Sequence, residues 1–288
     1  MRHHIVLALG LAAAVWSCGG PPRDADASDG GAYTDRLEAE HAGDAPEASP
    51  AATAQPRRPV TGSEVTYGEA GGTGLKGYLA TPEGAPDSIP GLIVIHEWWG
   101  LNDNIRSMAR QLAGEGYAAL AVDLYGGEVA ETPDRAGQLA RSVDEDRARA
   151  NLRAAYRFLE DRGAARIGSI GWCFGGGWSL QTALLFPDSL DATVIYYGHL
   201  VTDPDRLAGL EVPIQGHFGA EDGSIPVDDV RLFGSVLDSL GVAGRMYVYE
   251  GAGHAFANPS GTRYVKAAAD TAWGRTLAFL REHLEPGG

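Results

Sequence analysis

The chain alternates between two kinds of hydrophobic pattern. Short apolar runs, "GLIVIHE" (91–97), "AALAVDLY" (118–125), "RIGSIGW" (166–172), "DATVIYYG" (191–198) and "VPIQGHFG" (212–219), read as strands buried on both faces of a parallel sheet. Between them the apolar residues recur at helical spacing. "NIRSMARQLAGEGY" has Asn102 or Asp103 near its N-cap and Gly114 or Gly116 near its end. Residues 144–162 place Leu152, Ala155, Tyr156 and Leu159 on one face, and "GGWSLQTALLF" (176–186) follows the third run. "VDDVRLFGSVLDSLG" (227–241) places Phe233, Val236, Leu237 and Leu240 on one face. "RMYVYEGAGH" (245–254) is a strand that ends in a loop, and residues 262–284 close the chain as a helix. Ahead of these, "SEVTYGE" and "LKGYLAT" flank the turn-rich "AGGTG" and predict a hairpin. Strands alternating with helices predict an α/β fold with a mostly parallel sheet, whose ligands bind at the carboxyl ends of the strands.

The first 62 residues follow neither pattern. Residues 1–18 run from Arg2 through the apolar stretch Ile5–Trp16 to Ser17 and Cys18, an export signal too short to span a bilayer. Val15, Ser17 and Cys18 are similar to the lipobox of bacterial lipoproteins, although Trp16 stands where a small residue is usual. Cys18 is therefore expected to carry lipid, which anchors the protein at a membrane facing the periplasm or cell surface; several acyl chains anchor firmly where one alone is marginal. Ordinary signal cleavage, releasing a free exported protein, is the alternative. Residues 19–62 are rich in Ala, Pro and acidic residues, with almost no large apolar side chains, and read as a disordered tether. Residues 63–288 remain as one folded domain. The chain carries a net charge of -15, which speaks against a nucleic-acid surface. Nothing in the sequence fixes an oligomeric state, and a monomer is expected.

Only two cysteines are present. If Cys18 is lipidated or removed, Cys173 is the one thiol left, and a leftover cysteine in an exported protein suggests a reactive one. It sits in "GWCFG", a G-x-(nucleophile)-x-G turn with cysteine at its centre, at the end of a strand and the start of a helix. Flanking glycines suit a crowded elbow, and the helix N-terminus favours a thiolate. A nucleophile needs a base. His41 lies in the tether, His217 within a strand and His283 at the C-terminal end, whereas His254 follows the last strand among small residues. Asp222, in the loop after the preceding strand, is positioned to orient it. The chain order Cys173, Asp222, His254 is that of α/β-hydrolases.

With these positions in hand, the chain resembles the dienelactone hydrolase family over residues 63–288, through "IVIHEWWGLNDNIR", "AVDLYGG", "IGWCFGGG", "VIYYG", "GHFGAEDGSIP" and "YEGAGHAFANPSGTRYV". The resemblance implies an α/β-hydrolase fold of about eight strands, a Cys173–His254–Asp222 triad acting on small esters or lactones, and no metal or organic cofactor. It also implies that Glu97 helps to take the thiol proton. It implies an oxyanion hole from the backbone N–H groups of Phe174 and Trp98, and a pocket walled by Trp99, Tyr125, Tyr197 and Asn258. "HEWWG" lacks the second histidine of H-E-x-x-H, which speaks against zinc bound there. Two family arginines that grip a substrate carboxylate have no counterpart: one segment reads Tyr125-Gly126-Gly127-Glu128 and the other position is Asn258. A neutral lactone or small ester is thus expected in place of dienelactone, with Arg263 the cation left to act from another direction. Two competing expectations keep the scaffold without the hydrolysis: a thiol-redox protein and a non-catalytic surface lipoprotein.

Overall fold

The computed structural model describes residues 25–44, 54–86 and 88–285. The expected export signal and Cys18 lie outside the described residues.

The hairpin forms as β1 (Val60–Ala70) and β2 (Thr73–Pro82), joined at Gly71 and Gly72. Both glycines have positive φ, the backbone that a tight two-residue hairpin turn demands. Five wholly buried runs become β3 (Gly91–Ile95), β4 (Ala118–Val122), β5 (Ile167–Trp172), β6 (Ala192–Tyr196) and β7 (Ile214–Gly219), and β8 (Gly244–Tyr249) lies at the far edge. They build one eight-stranded sheet in the order β1-β2-β4-β3-β5-β6-β7-β8. β1, β2 and β4 pair antiparallel, and every other pairing is parallel.

The helices are α1 (Ala25–Glu40), α2 (Asp103–Glu115), α3 (Pro133–Ser142), α4 (Glu145–Asp161), α5 (Phe174–Leu185), the short α6 (Pro204–Leu207), α7 (Val227–Leu240) and α8 (Lys266–Leu284). The Asn102 side chain accepts the Ile105 N–H at 3.2 Å and caps α2, and Asp144 caps α4 in the same way through the Arg147 N–H. Leu240 departs from the face expected for α7: at the last turn it is exposed. Among the described residues, no helix is long and apolar enough to cross a membrane.

Within the stretch read as a tether, residues 25–44 form α1 and the turn after it. Tyr33 and Leu37 share one face of α1, and His41, in the turn directly after the helix, continues their four-residue spacing. All three are buried against the domain. A segment too polar to fold alone can order on a surface that is already built. Ion pairs surround the contact: Arg141 binds Asp35 and Glu38, each at 2.6 Å, and Arg263 binds Glu40 at 3.0 Å.

The chain runs from β3 to β4 on one side of β3, then returns to place β5 on its other side. The carboxyl ends of β3 and β5 thus form the topological switch point, where an open α/β sheet leaves a crevice.

Candidate active site

Cys173 follows β5 at that crevice and is the N-cap residue of α5. Its φ of 56° is a left-handed value that costs a non-glycine residue about 1–3 kcal/mol. The turn is pinned by the Cys173 N–H donating to the Tyr196 carbonyl at 3.0 Å and the Gly176 N–H donating to the Cys173 carbonyl at 2.9 Å. A methyl group on Gly175 would run into the Ile95 and His96 carbonyls, and one on Gly171 into the Gly175 carbonyl. The flanking glycines are there because backbone occupies the space a side chain would need. Cys173 is a free, buried thiol.

His254 lies in the loop after β8, and Asp222 in the loop after β7. The ring Nδ1 of His254 is 2.9 Å from Asp222 Oδ2, and both side chains are fully buried. Asp222 Oδ1 accepts the N–H groups of Ser224 at 2.8 Å and Ile225 at 2.9 Å, which fixes the carboxylate. Burial would lower the His254 pKa. Asp222 and then Cys173 oppose it, and the ring is held well above the usual imidazole value. Ligand-capable atoms of Cys173, His254 and His41 lie within 4.8 Å of one another.

Glu97 follows β3 and is buried. It accepts a hydrogen bond from the Asn258 amide at 2.6 Å. Burial raises its pKa to about 7, against the opposing effects of His254, Tyr197 and Asn258. Asn258 also accepts from the Asn104 amide at 3.3 Å and the Ser260 N–H at 2.8 Å, so its side chain is committed within the protein. Tyr125 and Tyr197 both have buried hydroxyls. Burial raises both pKa values well above the usual phenol value, and Cys173 adds to the rise in each. Tyr125 packs between His96 at 4.7 Å and Phe174 at 5.4 Å, and Tyr197 packs on His254 at 5.2 Å. Phe174 is the first residue of α5, where an N–H has no partner within the helix. Trp98 and Trp99 are buried and pack on each other at 5.2 Å.

Three histidines serve the fold. His217, inside β7, contacts Gln215 and Tyr249, each at 2.9 Å, and Thr276 at 3.1 Å. His96 accepts the Leu124 N–H through Nε2 at 3.1 Å. His199 packs on Tyr33 at 5.1 Å. Arg263, the remaining cation near the His254 loop, is paired with Glu40.

The profile of the dienelactone hydrolase family matches residues 75–284. The chain belongs to that family. Protein usf of Aquifex pyrophilus is 35% identical over 226 residues, covering 75% of this chain and 96% of its own. A Saccharolobus solfataricus protein provisionally named a carboxymethylenebutenolidase is 31% identical over 257 residues, covering 76% and 97%. The crystal structure of a Klebsiella pneumoniae protein, provisionally named a dienelactone hydrolase, superposes with a TM-score of 0.72 at 28% identity, covering 78% of this chain and 100% of that one.

α1 contributes side chains to the site that the composition of its segment conceals. Tyr33 is buried, its hydroxyl pKa raised by burial and then by Cys173 and Asp222. His41 packs on Trp98 at 4.6 Å and meets His254 edge-on at 5.4 Å. Its Nδ1 is 2.9 Å from Asp44 Oδ2, and burial, with His254 adding to it, lowers its pKa to about 3. The signal for both was the four-residue spacing Tyr33, Leu37, His41 in an otherwise polar stretch. Beside α1, a cavity of about 680 Å³ is lined by Tyr33, Leu37, Phe174, Trp178, His199 and Arg141, among others.

Proposed function

We propose that this member of the dienelactone hydrolase family is a cysteine hydrolase of small, uncharged esters or lactones. The observation that carries the reading is the His254 ring, fixed by Asp222 at 2.9 Å and close to a thiol on a strained elbow. The Cys173 proton passes to His254, or to Glu97, whose pKa near 7 suits a proton acceptor at neutral pH. The thiolate attacks the carbonyl carbon and the carbonyl electrons move to oxygen. That oxyanion is held by the N–H groups of Phe174 and Trp98. When the tetrahedral intermediate collapses, the C–O bond to the leaving alkoxide breaks and His254 supplies the proton taken from the thiol, passed on from Glu97 where Glu97 took it first. His254 then takes a proton from water, whose oxygen attacks the thioester; the C–S bond breaks, the acid is freed and the proton returns from His254 to the Cys173 sulfur.

Asp222 acts throughout by orienting the ring and stabilising its charged form. An uncharged substrate is favoured because Asn258 is bonded to Glu97 and Arg263 is paired with Glu40, so neither is offered to a carboxylate. The cavity on the Phe174 and Trp178 side of the elbow, lined by neither Cys173 nor His254, has room for a small acyl group or lactone ring. We also propose that the chain is exported and anchored through a lipid on Cys18. Mass measurement of the mature N-terminus from its host tests this; an unmodified N-terminus downstream of Cys18 refutes the anchor.

Hydrolysis of p-nitrophenyl acetate by the wild type, Cys173→Ala and His254→Ala tests the mechanism, with iodoacetamide labelling of Cys173 alongside. Turnover by the wild type and a fall of at least about 10³-fold in each variant are expected. Rapid labelling of Cys173 without ester turnover refutes the hydrolase.

A further inference from the structure

His41 is foreign to the hydrolytic scheme, yet it reaches the centre of the site from the turn after α1, outside the family match. It meets Cys173 and His254 there, with donor atoms of all three within 4.8 Å of one another. The two imidazoles are held alike. His41 Nδ1 is tied to Asp44 and His254 Nδ1 to Asp222, each at 2.9 Å, which leaves Nε2 of each ring as the free donor. The His41 Nε2 is buried without a hydrogen-bond partner, and the His254 Nε2 faces the Cys173 thiol. Carboxylate on one ring nitrogen with the other left to bind is how histidines are oriented and made more basic at metal centres. Asp44 is itself fixed by the Thr262 hydroxyl at 2.6 Å.

The geometry points to a site for a thiophilic cation, Zn²⁺ foremost, formed by His41 Nε2, Cys173 Sγ and His254 Nε2, which fastens α1 over the hydrolytic centre and silences it. Two imidazoles and one thiolate suit zinc, whereas Mg²⁺ and Ca²⁺ need oxygen. Bond lengths of about 2.0–2.3 Å imply ligand separations of ~3.3–3.6 Å in a tetrahedron, so the donors must close by about 1 Å. Water completes the fourth position. On binding, the thiol proton and the Nε2 proton of any charged His254 leave to solvent. The metal then holds the sulfur and the ring that hydrolysis needs. The site itself does not require ester turnover; only its silencing effect rests on the proposed hydrolase.

Cobalt reports the site directly, because a thiolate bound to Co²⁺ gives a near-ultraviolet charge-transfer band. Titration of the full chain with Co²⁺, then Zn²⁺ in competition, is expected to show one metal per chain and a band that is absent in Cys173→Ala. His41→Ala should weaken binding by more than the ~10–100-fold that outer-sphere changes cost, and Asp44→Asn by about that amount. His41→Gln keeps most of the side-chain bulk without the imidazole ligand and should bind as weakly as His41→Ala while its denaturation midpoint stays near the wild type, which separates loss of a ligand from loss of fold. Ester turnover, with each protein referred to its own rate in EDTA, should be blocked by zinc in the wild type and spared in His41→Ala. Equal cobalt affinity in wild type and His41→Ala overturns the site, as does a missing charge-transfer band. Zinc that leaves turnover unchanged or raises it overturns the silencing. A normal band with no turnover in EDTA keeps the site and refutes the hydrolase instead.

Discussion

At the scale of single residues, the elbow shows how closely chemistry and packing are joined. Cys173 holds a left-handed backbone because β5 and α5 leave no other path, and Gly171 and Gly175 are glycine because carbonyls fill their side-chain space. Gly175→Ala is expected to cost about 1–3 kcal/mol, read as a lower denaturation midpoint, together with slower Cys173 alkylation as the turn shifts. Asp222→Asn removes the charge that keeps the His254 ring oriented and charged; a fall in kcat of about 10⁴-fold is expected, as in other triads. Glu97 gives a pH prediction. It loses its proton as pH rises through about 7, and only then can it accept one from the thiol. The alkylation rate of Cys173 should therefore rise through that range in the wild type. Glu97→Gln should remove that limb, and an unchanged profile would exclude Glu97 as an acceptor.

At the scale of elements, α1 is the departure. Its segment has the composition of a linker, and period and docking surface, more than composition, make it a helix. Most of its apolar contact comes from Tyr33 and Leu37, with ion pairs to Arg141 and Arg263 at the rim. Leu37 is 1% exposed, and Leu37→Ala should weaken docking by about 2–3 kcal/mol. Hydrogen exchange is the measurement: amides of α1 should lose protection while β3 to β7 keep theirs, because the helix can open alone. Uniform loss across the sheet would mean that α1 is integral to the core. In α3 the Thr132 side chain caps the helix by accepting the Arg135 N–H, and the buried face is the small set Ala136, Gly137 and Leu139.

At the scale of the whole molecule, the sheet brings together side chains 161 residues apart in sequence, as in the Asn258–Glu97 bond. It does so because β3, β5, β7 and β8 all end at one edge of the layer. The same core sets the acid limit of stability. His217 is buried in β7, and burial, with Arg275 adding to it, lowers its pKa to about 3. Its unfolded value is about 6.5. Between those values the unfolded chain binds a proton that the folded chain refuses. The contribution of His217 is therefore intact above pH ~6.5 and is lost as pH falls, by about 1.4 kcal/mol per unit toward pH 3. Urea midpoints between pH 7 and 4 should decline in the wild type, and the slope should be shallower in His217→Gln.

The sequence by itself determined the alternation of buried strands and helices, and with it the parallel sheet. It also marked Cys173, Asp222 and His254 as the residues that would meet. These are local signals: apolar runs, glycines around a turn, and polar residues directly after strands. Tertiary structure decided what local signals cannot carry. It tied Asn258 to Glu97, gave Arg263 to Glu40, and turned part of a linker-like segment into a helix that brings Tyr33 and His41 to the thiol. The physical reason is that a strand inside a sheet announces itself by its own hydrophobicity. A polar helix that folds only against a finished surface depends on contacts far away in the chain.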